Sequence, residues 1–299
     1  MFCVYGAPPA ELAAVPPGAM QVSPLAPGGG ALEALTPTSL AGAVVAAPPG
    51  VLERRYVLAR ILQALAPGAP LTALAPNDKG GARLRKELEF FGAVVVETGR
   101  RHQRICQTSR PEHLLGIDPA LAAGALQVSQ ALGLWTQPGV FSWDRPDNGT
   151  RQLLAALPTL AGRGADLGCG LGVLARAVLA SPDVTQLDLV DLDRRAIEAA
   201  RRNVEDPRAR FHWADARGEP ELSELDFVVM NPPFHDHGVE DRDLGQAFIR
   251  RAHQILRRGG ALWLVANRHL PYEAVLRDLF RRVTPRGDAA GFKIYEAHK

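Results

Sequence analysis

The sequence Leu225-Asp226-Phe227-Val228-Val229-Met230-Asn231-Pro232-Pro233-Phe234 predicts a buried strand that ends abruptly. The apolar run up to Met230 is typical of a strand buried on both faces, and two prolines end it because proline lacks a backbone donor. The Asn231 side-chain oxygen and a neighbouring backbone carbonyl can then accept from an amino group on a flat ring, while Phe234 stacks on that ring. An ordinary proline turn is the alternative reading of so short a motif.

A second motif, Asp166-Leu167-Gly168-Cys169-Gly170-Leu171-Gly172, joins a short strand to an apolar helix. Glycines let the backbone pass close to a ligand, and the helix N-terminus offers unpaired N–H groups. A pyrophosphate would sit awkwardly beside Asp166, so this carboxylate favours a ligand with a cationic amino group. Cys169 has no paired histidine in its neighbourhood and is predicted to be a small packing residue at the ligand rather than a nucleophile.

Two further acids follow the next two predicted strands. Asp191 stands where a carboxylate can bind ribose hydroxyls, and Asp215 can accept from an adenine amine. Because an open α/β sheet binds ligands at the carboxyl ends of its strands, these groups are expected to converge. S-adenosylmethionine carries all the matching groups. The residues predicted to bind it are Asp166, Gly168, Cys169, Gly170, Gly172, Asp191, Asp215 and Asn231.

The composition is that of a soluble globular protein with room for two domains: 299 residues, 46% hydrophobic and 22% charged. The formal net charge is only +2, yet residues 54–110 hold eleven basic side chains against four acidic ones. Three scattered cysteines do not suit a disulfide framework or a zinc site. With no apolar stretch of membrane-spanning length and no secretion signal, the sequence predicts a cytoplasmic protein without membrane association.

The first half alternates short apolar runs with helical patterns from Ala43 onward, which predicts parallel βαβ units. Residues 1–30 are rich in proline, glycine and alanine and are predicted to be an irregular surface arm. The turn at residues 76–81 contains two glycines and can hold a phosphate at the start of the next helix. That basic helix can lie on an RNA backbone; the alternative is a solvated helix face with Leu84, Leu88 and Phe91 turned inward.

The stretch from Trp135 to Arg151 is rich in turn residues and aromatic side chains and is predicted to join the two halves. The predicted domains are therefore residues 1–135 and 136–299.

Both motifs together, ending in Asn231-Pro232-Pro233-Phe234-His235, resemble the class I S-adenosylmethionine-dependent methyltransferases that act on the exocyclic N2 of guanine in ribosomal RNA. The greater similarity is to the family that modifies 16S rRNA in the small subunit. Other matching segments are Gly139-Val140-Phe141-Ser142 with Asp147 and Gly149, Val265 to Tyr272, and Gly291 to Tyr295.

The resemblance implies an α/β protein with a Rossmann-like class I methyltransferase fold. A degenerate methyltransferase-like domain, at residues 1–135, would precede the catalytic domain and bind RNA or support folding. The first half fits a domain that has lost cofactor binding, since its strand-end turn reads Asn77-Asp78-Lys79-Gly80-Gly81 and it has no Asn-Pro-Pro-Phe. The chain is shorter than the family leads us to expect, mostly on the N-terminal side.

The resemblance also implies the active-site roles. Asn231, Pro232, Pro233 and Phe234 would be the catalytic residues, and the substrate would be ribosomal RNA in the assembled 30S particle. The enzyme would act as a monomer without a metal. His235-Asp236-His237 resembles a metal-ligand cluster, but it lies just beyond the turn and is predicted to be a loop rather than a metal site.

Two other functions stay open. One is guanine-N2 methylation of 23S rRNA, since Asn267-Arg268-His269-Leu270 is equally similar to the large-subunit enzymes. The other is a non-catalytic RNA-binding assembly factor, which the intact Asp166, Asp191 and Asn231 argue against.

Overall fold

The structure is a computed structural model that describes residues 1–233, 235–236, 239–240 and 242–299, without the side chains of residues 235–236, 239–240 and 242. The chain forms two compact units, residues 1–126 with 137–139 and residues 127–136 with 140–299. Two domains were predicted, but the boundary differs, because residues 127–136 belong to the second unit. They form a hairpin that packs against a helix of that unit.

The first unit contains a six-stranded sheet in the order β2-β1-β3-β4-β6-β5. The first four of these strands are parallel, and β6 is antiparallel to both of its neighbours. Its elements are β1 Phe2–Tyr5, β2 Met20–Gln21, β3 Gly42–Ala46, α1 Val51–Ala64, β4 Pro70–Pro76, α2 Ala82–Phe90, β5 Val96–Arg100, β6 Gln103–Ser109 and α3 Ile117–Gly124.

The prediction of an irregular surface arm at residues 1–30 was wrong. Phe2–Tyr5 forms β1, which lies inside the sheet between β2 and β3. Cys3 and Val22 are fully buried. Four residues are too few to show a period of two against the surrounding prolines and glycines, so only pairing with β3, about forty residues away, defines the strand.

The inward-facing reading of α2 is confirmed. Leu84, Leu88 and Phe91 have no exposed surface and belong to the core of the first unit. The basic side chains Arg83, Arg85 and Lys86 lie on the exposed face. A helix with apolar residues three to four apart turns those residues to one side, as observed here.

The second unit contains a seven-stranded sheet in the order β11-β10-β9-β12-β15-β17-β16. The five strands from β11 to β15 are parallel, and the last two are antiparallel to their neighbours. Its elements are β7 Gln127–Ser129, β8 Leu134–Thr136, α4 Asn148–Ala156, β9 Gly162–Leu167, α5 Val173–Val178, β10 Val184–Asp191, α6 Arg194–Asn203, β11 Ala209–Trp213, β12 Leu225–Met230, β13 His235–Asp236, β14 Val239–Glu240, α7 Arg242–Ile255, β15 Leu256–Asn267, α8 Tyr272–Leu279, β16 Arg282–Ala289 and β17 Phe292–His298.

The predicted central strand is confirmed: β12 runs to Met230, and Phe227 to Met230 are buried. Val228 and Met230 face one core layer, while Phe227 and Val229 face the other, so both faces of the sheet are covered by helices. Beside it, Gly164 of β9 leaves room for the Phe227 ring, which would stand 2.1 Å from an added Cβ. The sequence Pro232-Pro233 then ends the strand.

The two sheets share strand order and direction. Six neighbouring strands of the second sheet correspond one to one, in spatial order, to the six strands of the first. The order is β2, β1, β3, β4, β6, β5 in the first sheet and β10, β9, β12, β15, β17, β16 in the second. By this correspondence β3 takes the place of β12, and β4 takes the place of β15. Among the described residues, no helix has the length and apolar character needed to cross a membrane.

Candidate active site

The parallel strands of the second unit bring three of the predicted polar residues to one edge of the sheet. Strand β9 lies between β10 and β12, so the chain order reverses at β9. Asp166 is the penultimate residue of β9, Asp191 ends β10, and Asn231 follows β12 directly. A crevice outside the carboxyl ends of strands at such a reversal is the usual ligand site of open α/β sheets.

The glycine loop after β9 needs its glycines for conformation. Gly168, Gly170 and Gly172 have φ values of 75°, 51° and 80°, which other residues rarely adopt. Gly168 donates to the carbonyl of Val190 at 2.8 Å, and Gly170 donates to Oδ2 of Asp191 at 2.8 Å. The loop is therefore held against the end of β10, with Gly168 and Gly170 partly exposed.

Asp166 is a buried carboxylate in an unusual environment. It has no exposed surface, and neither of its oxygens has a hydrogen-bond partner of normal geometry within the described residues. Burial and the negative charge of Asp191 raise the pKa of Asp166 to about 8, against a small opposing effect of the Ala175 backbone amide. Burial also raises the pKa of Asp191 to about 6. Two carboxylates in this state favour a cationic group beside them.

Cys169 in the same loop is a buried thiol. Burial and the charges of Asp191 and Asp166 raise its pKa well above the ordinary value. A thiol that stays protonated is a poor nucleophile. This supports the prediction of a packing residue.

Asn231 is oriented by two contacts. Its Nδ2 donates to Oδ2 of Asp147 at 2.8 Å and to Oγ1 of Thr150 at 3.0 Å. Among the described residues, Oδ1 accepts no hydrogen bond, so the amide oxygen is available to a ligand. The sequence marked Asp147 as part of a family-matching segment without a role at the site, and Thr150 was not singled out. Their contacts with Asn231 join residues more than 80 positions apart.

A cavity of about 220 Å³ lies beside the glycine loop and Asn231, and neither Asp166 nor Asp191 lines it. Its wall includes Gly168, Cys169 and Gly170 of the loop, together with Asn231. Asp147 and Thr150 also line it, as do apolar residues such as Leu134, Phe141 and Leu171. The cavity thus combines a glycine loop, the Asn231 amide and an apolar wall, which suits a small ligand with both polar and apolar parts.

The structure does not bring Asp215 to this cavity. Its carboxylate accepts from Nε of Arg217 at 2.9 Å and from Nη2 at 2.6 Å, and both side chains are well exposed. Arg217 also lowers the pKa of Asp215. Because Arg217 occupies the carboxylate of Asp215, the ion pair competes with the predicted hydrogen bond from an adenine amine.

Phe234 and His237 lie outside the described residues, so the predicted stacking role of Phe234 stays a prediction. The His235–Asp236 backbone pairs with Val239–Glu240 in a short antiparallel ladder. The side chains of His235 and Asp236 are outside the description as well. Among the residues that are described, no cluster of three or more histidine, cysteine or acidic side chains could hold a metal ion.

The first unit has its own double-proline turn, which the sequence analysis overlooked. Pro48-Pro49 follows β3, the strand that takes the place of β12, and Ala47 stands where the second unit has Asn231. The turn at residues 77–81 follows β4, in the place of the turn after β15. It therefore corresponds neither to the glycine loop after β9 nor to the Asn231 turn after β12.

The carbonyls of this second turn are already occupied. Nη1 of Arg54 donates to the carbonyls of Pro48 at 3.0 Å and Pro49 at 2.8 Å. The same fully buried guanidinium donates to both oxygens of Glu87, at 2.5 and 2.9 Å. Gly80 makes room for it, because an added Cβ would lie 2.2 Å from Nη1 of Arg54. An internal guanidinium thus binds the acceptors that this turn could offer to a ligand.

The state of Asp166 gives a stability prediction. Its pKa is higher in the folded protein than the usual 3.8. The folded state therefore binds this proton more tightly than the unfolded chain between about pH 4 and pH 8, and the free energy of unfolding should fall as pH rises through that window. Asp166→Asn should remove this slope and stabilise the second unit at pH 8 by on the order of 2 kcal/mol or more.

All four tryptophans lie in the second unit, so their fluorescence during urea unfolding at pH 6 and pH 8 measures this effect. Asp183→Asn, at an exposed carboxylate of the same unit, is the control. An Asp166→Asn variant that keeps the wild-type pH slope would contradict the prediction.

Comparison with known proteins agrees with this architecture. The family described as methyltransferase small domain matches residues 131–296, more than half of the chain. The ribosomal RNA small subunit methyltransferase C of Chromohalobacter salexigens is 34% identical, over 89% of this chain and 81% of the relative. The protein of the same name from Shewanella loihica is 31% identical, over 82% and 73%.

Two further matches bear on the substrate. The ribosomal RNA large subunit methyltransferase G of Pseudomonas entomophila is 36% identical, over 81% of this chain and 66% of its own length. Among solved structures, a 16S rRNA N2 methyltransferase of T. thermophilus, in complex with AdoMet and guanosine, aligns with a TM-score of 0.74 at 25% identity. That alignment covers 90% of this chain and 75% of the other.

Proposed function

The chain belongs to the family of ribosomal RNA methyltransferases that carry a methyltransferase small domain, and on this premise we propose that it methylates the exocyclic N2 of a guanine in 16S rRNA. The observation that carries the proposal is the orientation of Asn231 at the end of β12. Its Nδ2 is held by Asp147 and Thr150, which leaves Oδ1 to accept from an amino group in the cavity.

The residues at the sheet edge fit S-adenosylmethionine. The Asp166 carboxylate is buried and has no hydrogen-bond partner of normal geometry among the described residues, which suits a cationic amino group. Gly168 and Gly170 are partly exposed and line the cavity, which suits close contact with a ligand. Asp191 already accepts from two backbone amides, but carboxylate oxygens have further lone pairs for ribose hydroxyls. When bound, this cofactor supplies an electrophilic methyl group. Asp166→Asn should therefore weaken its binding by roughly tenfold or more.

The catalytic work of the chain is placement. The lone pair of a guanine amino group is delocalised into the ring, so the nitrogen becomes nucleophilic only when acceptors draw its protons out of the ring plane. Asn231 Oδ1 and the carbonyl of Pro232 would be these acceptors, and the second proline, Pro233, stiffens the turn. Phe234 would stack on the base, which must leave any helix to reach the cavity. Orientation of this kind can contribute about 7–11 kcal/mol, and the surplus proton leaves to water.

The first unit is proposed to be a degenerate methyltransferase-like domain that contacts rRNA. Its strand order repeats that of the second unit, which supports a common origin of the two folds. Two features argue against catalysis in the first unit. Ala47 replaces the strand-end asparagine, and Arg54 already binds the carbonyls of Pro48 and Pro49. The exposed basic face of α2 is where we expect contact with an RNA backbone.

A direct test is transfer of labelled methyl from S-adenosylmethionine to three substrates: assembled 30S particles, naked 16S rRNA and naked 23S rRNA. We expect label on guanine N2 of 16S rRNA, and with 30S particles rather than naked RNA. The 36% identity to a large subunit methyltransferase makes 23S rRNA the second candidate. Label only on 23S rRNA would overturn the 16S assignment, and cofactor binding without label on any RNA would overturn the substrate class.

A further inference from the structure

The two ends of the Asn231 side chain have nearly the same shape but opposite hydrogen-bonding character. Oδ1 accepts, whereas Nδ2 can only donate. If the amide turned over, Nδ2 would face the substrate amine, and two donors would meet. The direction of this amide therefore decides whether the site can accept from an amino group at all.

Two side chains accept hydrogen bonds from Nδ2, and they are not equivalent. Thr150 Oγ1 lies 3.0 Å from Nδ2, but a hydroxyl can donate as well as accept and would tolerate either amide direction. Asp147 Oδ2 lies 2.8 Å from Nδ2, and a carboxylate only accepts. Asp147 is the group that makes one direction of the Asn231 amide favourable and the other repulsive.

Asp147 is itself fixed by the start of a helix. It is the N-cap of α4, and the same Oδ2 accepts from the backbone N–H of Thr150 at 2.6 Å. Its own carbonyl accepts from the N–H of Arg151 at 3.1 Å. Gly149 leaves the carboxylate in place, since an added Cβ would lie 3.1 Å from Oδ2 and 3.0 Å from the Phe292 ring. The carboxylate thus has one position from which it reaches Asn231.

We propose that Asp147 is a positioning residue that aims Oδ1 of Asn231 at the substrate amine, with the first turn of α4 as its support. The inference rests on the proposed function, because the amine is the group that it serves. It assigns to Asp147 a role that helix capping alone does not require, and this difference can be measured.

Two substitutions separate the two roles of Asp147. Serine is as good an N-cap as aspartate, but its shorter side chain cannot extend to Asn231. Asparagine keeps an oxygen in the place of Oδ2 and can serve both Thr150 and Asn231. We expect Asp147→Ser to lower the single-turnover methyl-transfer rate on saturating 30S particles by roughly 10- to 100-fold, and Asp147→Asn to stay within about fivefold of wild type. The KM for 30S particles and the Kd for S-adenosylmethionine should stay within about threefold in both.

A second readout does not depend on activity. The side-chain amide signals of Asn231 in a ¹⁵N–¹H spectrum can be assigned by their loss in Asn231→Ala. Hydrogen exchange of these protons should be faster by roughly tenfold in Asp147→Ser and nearly unchanged in Asp147→Asn, since only the serine variant loses the acceptor.

The outcomes discriminate clearly. A serine variant that keeps both the wild-type rate and the wild-type exchange protection would overturn the inference and leave Asp147 a helix cap. Loss of rate in serine and asparagine variants alike, with protection unchanged, would also overturn it. A wild-type protein that methylates no RNA, yet loses amide protection only with serine, would overturn the proposed function while leaving the aimed amide established.

Discussion

Asn231→Ala is expected to lower the rate of methyl transfer by about 10²- to 10³-fold, as loss of one preorganised hydrogen-bonding group typically does at an active site. Alanine removes Oδ1, the acceptor that the cavity offers to the substrate amine. It leaves the glycine loop and the Asp166–Asp191 pair untouched. Asn231 is also among the residues predicted to bind S-adenosylmethionine, but the glycine loop, Asp166 and Asp191 supply the other contacts. The affinity for the cofactor should therefore fall by no more than about threefold, and the main loss should be in the chemical step.

Single-turnover transfer of labelled methyl and calorimetric titration of the cofactor measure the two quantities separately. Asn77→Ala is a matched control, since Asn77 is an exposed asparagine at the end of β4 in the first unit. It should change neither quantity. Transfer by Asn231→Ala within about tenfold of wild type would show that this side chain is not the acceptor on which the reaction depends.

Arg54→Met should destabilise the first unit by about 3–5 kcal/mol, the usual cost of breaking a buried ion pair at one partner. The substitution leaves Glu87 only 3% exposed, with Nε of Arg55 at 3.6 Å as the remaining cation among the described ion pairs. It also leaves the carbonyls of Pro48 and Pro49 without their donor. The double variant Arg54→Met, Glu87→Leu should recover much of the loss, because it removes both buried charges.

The distribution of probes makes this prediction specific to one unit. Tryptophan fluorescence reports only on the second unit, whereas Cys3 and Cys106 lie in the first. Burial raises the pKa of both thiols to about 12, so they should be unreactive until the first unit opens. In Arg54→Met, these cysteines should become labelled at a lower urea concentration than in wild type, while the midpoint of the tryptophan fluorescence transition should not change.

Arg55→Met is the control, since that side chain is half exposed and packs over the Phe90 ring at 5.9 Å. Arg55→Met should change the free energy of unfolding of the first unit, as measured by cysteine labelling, by no more than about 0.5 kcal/mol. Unchanged labelling in Arg54→Met would mean that the buried pair contributes nothing net to the first unit.

The sequence by itself determined the class of fold and which half of the molecule holds the candidate active site. A buried strand that stops at Asn231-Pro232-Pro233 and a glycine loop after Asp166 are local patterns, because apolar runs, prolines and glycines restrict the backbone wherever they occur. The order of such strands along the chain then brings their ends to one edge of the sheet. The inward side of α2 followed in the same way from the spacing of its apolar residues.

Tertiary structure alone decided what depends on residues distant in the chain. Strand β1 exists because it pairs with β3, the Asp147 contact with Asn231 spans 84 positions, and Arg54 binds Glu87 33 positions away. The carboxylate of Asp215 forms an ion pair with Arg217 and does not line the cavity, although its position after a strand was typical of a cofactor ligand. Local patterns fix where an element begins and ends, but the partner of a polar side chain is set by packing, since only packing determines which groups lose water together.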